Sequence, residues 1–134
     1  MIYILDAAAL LNNEVFSFEK ENEYYTTSLV FSEWRDFRSR ALAENALSSG
    51  LLKIIDPCPV SMQITFDKCA ESNTKLSEAD ASIVSLSAEF REQKKAFVVV
   101  TDDYSVQNIL KKLSILFEGV AQPEIKRHRN FKKN

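Results

Sequence analysis

With 134 residues, 46% of them hydrophobic and 27% charged, the chain is long enough to bury one core without disulfide or metal staples and too short for two typical domains. Two Gly and three Pro exclude a linker-rich or low-complexity chain. The net charge of −2 is unevenly spread: the stretch Lys126-Arg127-His128-Arg129-Asn130-Phe131-Lys132-Lys133-Asn134 holds five basic and no acidic residues, leaving residues 1–125 with 12 basic against 19 acidic side chains, a balance of −7.

Such a division predicts an acidic domain over residues 1–122, some of whose carboxylates bind cations, and a basic tail over 123–134 that meets a polyanion, the alternative being a frayed, solvated tail. The apolar runs, such as Ala7 to Leu11 and Ala96 to Val100, are far too short to cross a bilayer. Nothing at the N-terminus resembles a secretory signal, and Cys58 and Cys69 lack paired metal or redox spacing. A soluble protein in a reducing, cytoplasmic setting with two buried thiols is expected.

In chain order, residues 1–5 predict a short buried strand that runs into Asp6, followed by residues 7–11 of high helix propensity. Residues 12–23 are polar and read as a surface connection. Residues 24–29 predict a second strand, leading into one long helix over about 30–49 with Val30, Trp34, Phe37 and Ala41 on its apolar stripe and Gly50 as its stop. Glu33 falls one turn into that helix. Residues 51–55 read as a third strand ended by Asp56-Pro57 and Pro59, and residues 60–72 as a helix with Met62, Phe66 and Cys69 inward. The S-x-x-D spacing of Ser77 and Asp80 marks the next helix start, with Ala79, Ile83, Leu86 and Phe90 as its buried stripe. Residues 97–100 form a β-branched run without polar alternation, a strand buried on both faces. It enters Thr101-Asp102-Asp103 and a helix marked by Val106, Ile109, Leu110 and Leu113, before a last strand over 115–117. Strands alternate with helices throughout. The expected fold class is α/β, a three-layer α/β/α domain around a central parallel sheet of about five strands with right-handed crossovers.

Carboxylates recur at the junctions. Asp6 and Asp102 each follow a buried strand, while Glu33 and Asp80 each stand in the first turn of a helix, so parallel strands would bring all four to one rim. No His or Cys accompanies them, and oxygen-only ligation favours Mg²⁺ or Mn²⁺ over zinc. Acids gathered there would raise each other's pKa values, a penalty that a divalent cation removes. Such a site suits phosphodiester hydrolysis. His128 is the one histidine and lies in the tail, which argues against Ser-His-Asp, Cys-His and two-histidine ribonuclease chemistry. Ordinary roles stand beside these: helix capping for Asp6, partnership with Ser77 for Asp80, an exposed helical position for Glu33. Asp103 reads as the cap of the last helix rather than as a ligand. Trp34 and Phe37 read as core rather than as base-stacking platforms, and Arg35, Arg38 and Arg40 as a solvated face, the alternative being that one of them reaches phosphate.

The segments Ile4-Leu5-Asp6, Glu33-Trp34-Arg35-Asp36, Leu76-Ser77-Glu78-Ala79-Asp80 and Val100-Thr101-Asp102-Asp103-Tyr104-Ser105-Val106-Gln107-Asn108 resemble, in order and spacing, the PIN-domain nucleases. Among these, L-S-x-A-D and T-D-D-Y-x-x-Q-N are similar to the Nob-type endoribonucleases, which mature the 3′ end of small-subunit ribosomal RNA. The resemblance covers residues 1 to about 120. It implies a PIN-like fold and a Mg²⁺ or Mn²⁺ site built from Asp6, Glu33, Asp80 and Asp102, with Asp103 as a further candidate ligand. Thr101 would position Asp102, and Ser77 and Asn108 would support the site. The implied substrate is single-stranded RNA, pre-rRNA or the small ribosomal subunit, cut by water activated at the metal to leave a 3′ hydroxyl. Arg35, Lys126, Arg127 and Arg129 would contact that RNA, and a homodimer is implied as well. The Nob-type pattern continues into a zinc ribbon, whereas Arg127-His128-Arg129 stand where its first cysteine knuckle would fall. Two other readings are a toxin ribonuclease of the VapC kind and a non-catalytic RNA-binding PIN scaffold. The presence of all four acids weighs against the scaffold.

Overall fold

The computed structural model describes residues 1–11 and 16–120. Part of the expected surface connection and all of the basic tail, with Lys126, Arg127, His128 and Arg129, therefore lie outside the described residues. Five strands alternate with helices: β1 (Ile2–Leu5), α1 (Ala8–Leu11), β2 (Glu23–Thr26), α2 (Ser28–Phe31), α3 (Phe37–Ser48), β3 (Leu52–Ile54), α4 (Pro59–Glu71), α5 (Glu78–Glu92), β4 (Phe97–Val100), α6 (Tyr104–Lys112) and β5 (Phe117–Glu118). They make one sheet in the order β3-β2-β1-β4-β5, with every pairing parallel. The α/β expectation is met. The chain moves outward from β1 to β3, then crosses back through α4 and α5 to β4 on the other side of β1. The β1/β4 boundary, where Leu5 pairs with Val100, is thus the point at which strand order reverses. In open parallel sheets that reversal opens a crevice beyond the carboxyl ends of the strands.

The core explains why these elements form. Ile4, Leu5, Val99 and Val100 are buried because helices cover both faces of the sheet, and α5 is enclosed on nearly all sides, with Ala79, residues 81–87 and Phe90 buried. Its buried serines are satisfied within their own helix: Ser82, Ser85 and Ser87 donate to the carbonyls of Ala79, Ala81 and Ile83 at 2.6, 2.7 and 2.7 Å. Among the described residues, no helix is long and apolar enough to cross a membrane.

Four expectations are corrected. The helix over 30–49 is broken in two: α2 stops at Phe31, and Asp36 starts α3 as an N-cap whose carboxylate accepts from the Ser39 N–H at 2.9 Å. The break lets Trp34 turn fully inward, where its indole N–H donates to the Ala7 carbonyl at 2.9 Å. Arg40 Nε donates to the Trp34 carbonyl at 2.7 Å, satisfying backbone that the lost helix left free. With the helix restarted, Phe37 occupies its first position and is exposed, not core. In α4 the inward position is Thr65 beside Cys69, while Met62 and Phe66 are half-buried, and Cys58 is an exposed thiol at the head of that helix.

Helix ends account for the remaining shifts. Gly50, Asn73, Lys94 and Ser114 all take positive φ, and each following N–H reaches back to a helical carbonyl, as in Leu51 to Ala46, Thr74 to Cys69, Lys95 to Phe90 and Ile115 to Leu110. This left-handed closure ends the helix whatever residue fills it, at a cost near 1 kcal/mol when the residue is not glycine. At Ser114 it delays β5 to Phe117–Glu118, beyond the expected 115–117.

Trp34 is fully buried and ties two segments together. Trp34→Ala is expected to lower the unfolding free energy by roughly 3–5 kcal/mol, read from urea midpoints at constant slope.

Candidate active site

Register sets the site. Asp6 follows β1 and continues its ladder, donating its N–H to the Val100 carbonyl at 3.1 Å, so the next residue of β4's chain, Thr101, comes alongside it. Asp6 is 3% exposed. Its Oδ1 accepts the Ala7 N–H at 2.7 Å and its Oδ2 accepts the Thr101 hydroxyl at 2.8 Å. The same Thr101 oxygen accepts the Asp103 N–H at 3.1 Å, and the Thr101 carbonyl accepts from Gln107 Nε2 at 3.0 Å. One fully buried hydroxyl therefore joins the Asp6 carboxylate to the backbone of the opposite junction.

Asp103 caps α6, its Oδ1 accepting the N–H groups of Ser105 and Val106 at 2.8 and 3.3 Å. Asp80 lies in the first turn of α5 and donates its N–H to the Ser77 hydroxyl at 3.1 Å. That helix start is fixed to the sheet by a 2.7 Å bond between Thr27 and Ser82, while Thr26 donates to the Leu5 carbonyl at 2.9 Å. Since Ser82 donates to Ala79 and Thr27 Oγ1 accepts from the Val30 N–H, the Thr27 proton is the one shared with Ser82.

The charges register one another. Burial, then the negative charge of Asp80, pushes Asp6 from an ordinary 3.8 up to about 6, with a smaller push from Asp103; the bonds from Thr101 and Ala7 pull the other way. Asp80 is raised by burial and then by Asp103 and Glu33, against hydrogen bonding to Ser77 and Asp6. Asp6, Asp80, Asp103 and Glu33 thus form one electrostatic array. From the adjacent acid pair, the charge of Asp103 reaches both Asp6 and Asp80. The Asp102 Oδ1 instead accepts the Val120 N–H at 2.9 Å, beside the last strand.

Other expected contributors fall in different places. Glu33 is exposed in the turn between α2 and α3, not one turn into a continuous helix. Thr101 positions Asp6 and the Asp103 backbone rather than Asp102. Asn108 is on the exposed side of α6, and the buried amide next to it, Gln107, is the one that holds Thr101; its signal in the sequence is a polar residue inside the stripe of Val106, Ile109 and Leu110. Arg35 is exposed and donates to the Ser32 carbonyl at 3.3 Å. Arg38 is exposed like Arg35 and Arg40 is half-buried, and their guanidinium groups bond the Leu10 carbonyl at 2.6 Å and the Trp34 carbonyl at 2.7 Å.

Hard oxygen donors under mutual repulsion fit a divalent cation in their chemistry. Among the described residues, no group of three or more His, Cys, Asp or Glu side chains is gathered closely enough to hold a metal ion. A cavity of about 330 Å³ lies away from it, lined by Met1, Tyr3 and Phe97 at the strand starts and by residues 114–116.

A family model described as the PIN domain of ribonuclease matches residues 3–90. Over 125 residues the chain is 40% identical to an Endoribonuclease Nob1 from Methanothermobacter thermautotrophicus, an alignment covering 92% of this chain and 71% of that protein. The chain belongs to the Nob-type PIN-domain nucleases. It is also 31% identical over 121 residues to an Endoribonuclease Nob1 from Pyrococcus abyssi, covering 89% and 72% of the two chains. With a Ribonuclease VapC3 from Aeropyrum pernix it shares 28% identity over 92 residues, covering 67% and 66%. PIN-domain nucleases generally use divalent metal ions, in keeping with the array of acids at the reversal point.

The raised value of Asp6 fixes a sign for stability. Asp6 holds its proton more tightly folded than unfolded, so its contribution is full below about pH 4 and is lost as pH rises through about 6. At pH 7 the ionised group opposes folding by up to roughly 3 kcal/mol. Asp6→Asn is therefore expected to raise Tm at pH 7 and to change it little at pH 4, as calorimetry at the two pH values would show.

Proposed function

We propose that this protein is a divalent-metal-dependent endoribonuclease that hydrolyses single-stranded RNA in the maturation of small-subunit ribosomal RNA. The observation that carries the reading is the buried link from Asp6 through Thr101 to Asp103, with Asp80 and Glu33 close enough to perturb the same charges. Similarity to proteins named Endoribonuclease Nob1 supplies the RNA and the ribosomal context.

In this reading Asp6, Asp80 and Asp103 would hold the cation, with Glu33 coupled to the same charges. Mg²⁺ or Mn²⁺ suits the all-oxygen donors, and when bound it neutralises the phosphate and makes water a better nucleophile. Thr101 keeps Asp6 aimed by donating to Oδ2, which leaves Asp6 acceptor-only on that side. Gln107 holds Thr101 in turn, and Ser77 fixes the turn that carries Asp80. Glu33, the exposed acid, would orient the attacking water. Asp102, also counted among the ligands on sequence, accepts the Val120 N–H through Oδ1 and so ties the chain after β5 to the same junction. Arg35 next to Glu33 contacts phosphate, and Lys126, Arg127 and Arg129 extend that contact along the strand. A cytoplasmic setting and a homodimer belong to the same reading and rest on the family resemblance. The toxin reading has the shorter and weaker similarity behind it, 28% over 92 residues against 40% over 125.

Cleavage of a labelled single-stranded RNA carrying a small-subunit 3′-end sequence tests the proposal, with Mn²⁺, with EDTA, and with three variants in parallel. Asp6→Asn and Asp103→Asn should each reduce the rate roughly 100-fold or more, while Asp102→Asn should cost less than about tenfold. Asn remains a good helix cap, so Asp103→Asn keeps α6 intact. Full activity in EDTA or in Asp6→Asn would overturn the mechanism; loss on Asp102→Asn with activity retained in Asp103→Asn would overturn the ligand assignment.

A further inference from the structure

The domain must bind a polyanion with a body whose balance over residues 1–125 is −7, so charge alone does not supply the affinity. Most aromatic rings are at least partly covered, and Tyr24, Tyr25, Trp34, Phe90 and Phe117 are buried. Two among the described residues stand in water instead: Phe37 is 89% and Tyr104 79% exposed. Each is the first residue of a helix, α3 and α6, that starts at the carboxyl edge of the sheet.

Their placement follows from topology. Sheet order runs β2-β1-β4, with Asp6 at the end of the middle strand. Tyr104 directly follows Asp103, and Phe37 comes four residues after Glu33, so each ring belongs to a segment that also carries an acid of the array. Both have rigid backbones beneath them. Tyr104 follows Asp103 within the capped turn of α6. Phe37 sits between Trp34 and Ser39, which bond the carbonyls of Ala7 and Leu10 at 2.9 and 3.4 Å, tying this segment to the one that follows Asp6.

We propose that Tyr104 and Phe37 are stacking platforms for the two nucleobases on either side of the scissile phosphate. A ring face accepts any unpaired base without needing positive charge. The pair thereby selects single-stranded RNA, because paired bases present no free face on both sides of one phosphate. This inference rests on the nuclease reading and identifies what holds the substrate across the carboxylates.

Short RNAs with 2-aminopurine on either side of the cleaved bond test it, through both fluorescence and cleavage. In EDTA, where no cleavage is needed, the intact protein should quench both probes. Tyr104→Ala and Phe37→Ala should each abolish quenching of a different probe and raise Kd by roughly 5- to 100-fold, while Tyr104→Phe and Phe37→Tyr should retain both effects. With metal, the alanine variants should raise KM by a similar factor with a smaller change in kcat, and the effect should vanish on RNA made abasic at the matching position. Unchanged quenching and Kd in both alanine variants would overturn the proposal, as would an undiminished loss on abasic RNA. Failure of the nuclease reading is distinct: it appears as absent metal-dependent cleavage by the intact protein, while the EDTA experiment still decides the stacking.

Discussion

The site depends on one side-chain oxygen. Thr101 donates to Asp6 and accepts from the Asp103 N–H, so a single hydroxyl satisfies a buried carboxylate from β1's chain and a backbone donor from β4's chain. A hydroxyl has one proton to give and lone pairs to receive with, and both capacities are used. A valine of the same shape would leave two polar groups without that partner, and for the Asp6 carboxylate, which is buried, that is among the costlier errors in a protein interior. Gln107, which bonds the Thr101 carbonyl, extends the same logic one step outward, and the sheet holds the whole assembly in register.

Like charges kept this close oppose folding, and the fold offsets part of that cost. Asp80 lies in the first turn of α5 and Asp103 caps α6, positions where unsatisfied N–H groups and the aligned peptide dipoles favour negative charge. Asp6 has no comparable help beyond two hydrogen bonds and is the most buried of the array, so the repulsion falls on it and its carboxyl is pushed up to about 6. The arrangement is stable enough to persist and unfavourable enough to gain from a cation. Stability given up at a site in this way is common where chemistry requires it.

Much of this was legible in the chain itself. The β-branched run at 97–100, the apolar opening at 2–5 and the S-x-x-D start of α5 each carry local signals that tertiary packing did not overrule. The break at 32–36 was hidden because Val30, Trp34 and Phe37 keep helical spacing; what decided the outcome was an indole N–H that needed a buried acceptor, a long-range fact. Asn73, Lys94 and Ser114 end helices in a conformation usually announced by glycine, so their turns left no mark. That Asp103 caps the last helix was legible in the sequence, whereas the bond from the Val120 N–H to Asp102 was not, since it depends on the chain after β5 returning beside β4.

That pairing makes the array a product of topology more than of any motif. Its acids come from four separate stretches, after β1, after β2, at the head of α5 and after β4, and none is near another until the parallel sheet is assembled. A one-residue slip of β1 against β4 would set Asp6 beside Val100 or Asp102, exchange the faces of every side chain on the strand and remove the Thr101 link. Ile4, Leu5, Val99 and Val100 oppose the slip, because it would exchange the helical layer that each packs against and undo a fit made on both faces of the sheet. The hydrophobic core therefore does more than hold the domain together: by fixing register, it fixes which carboxylates meet.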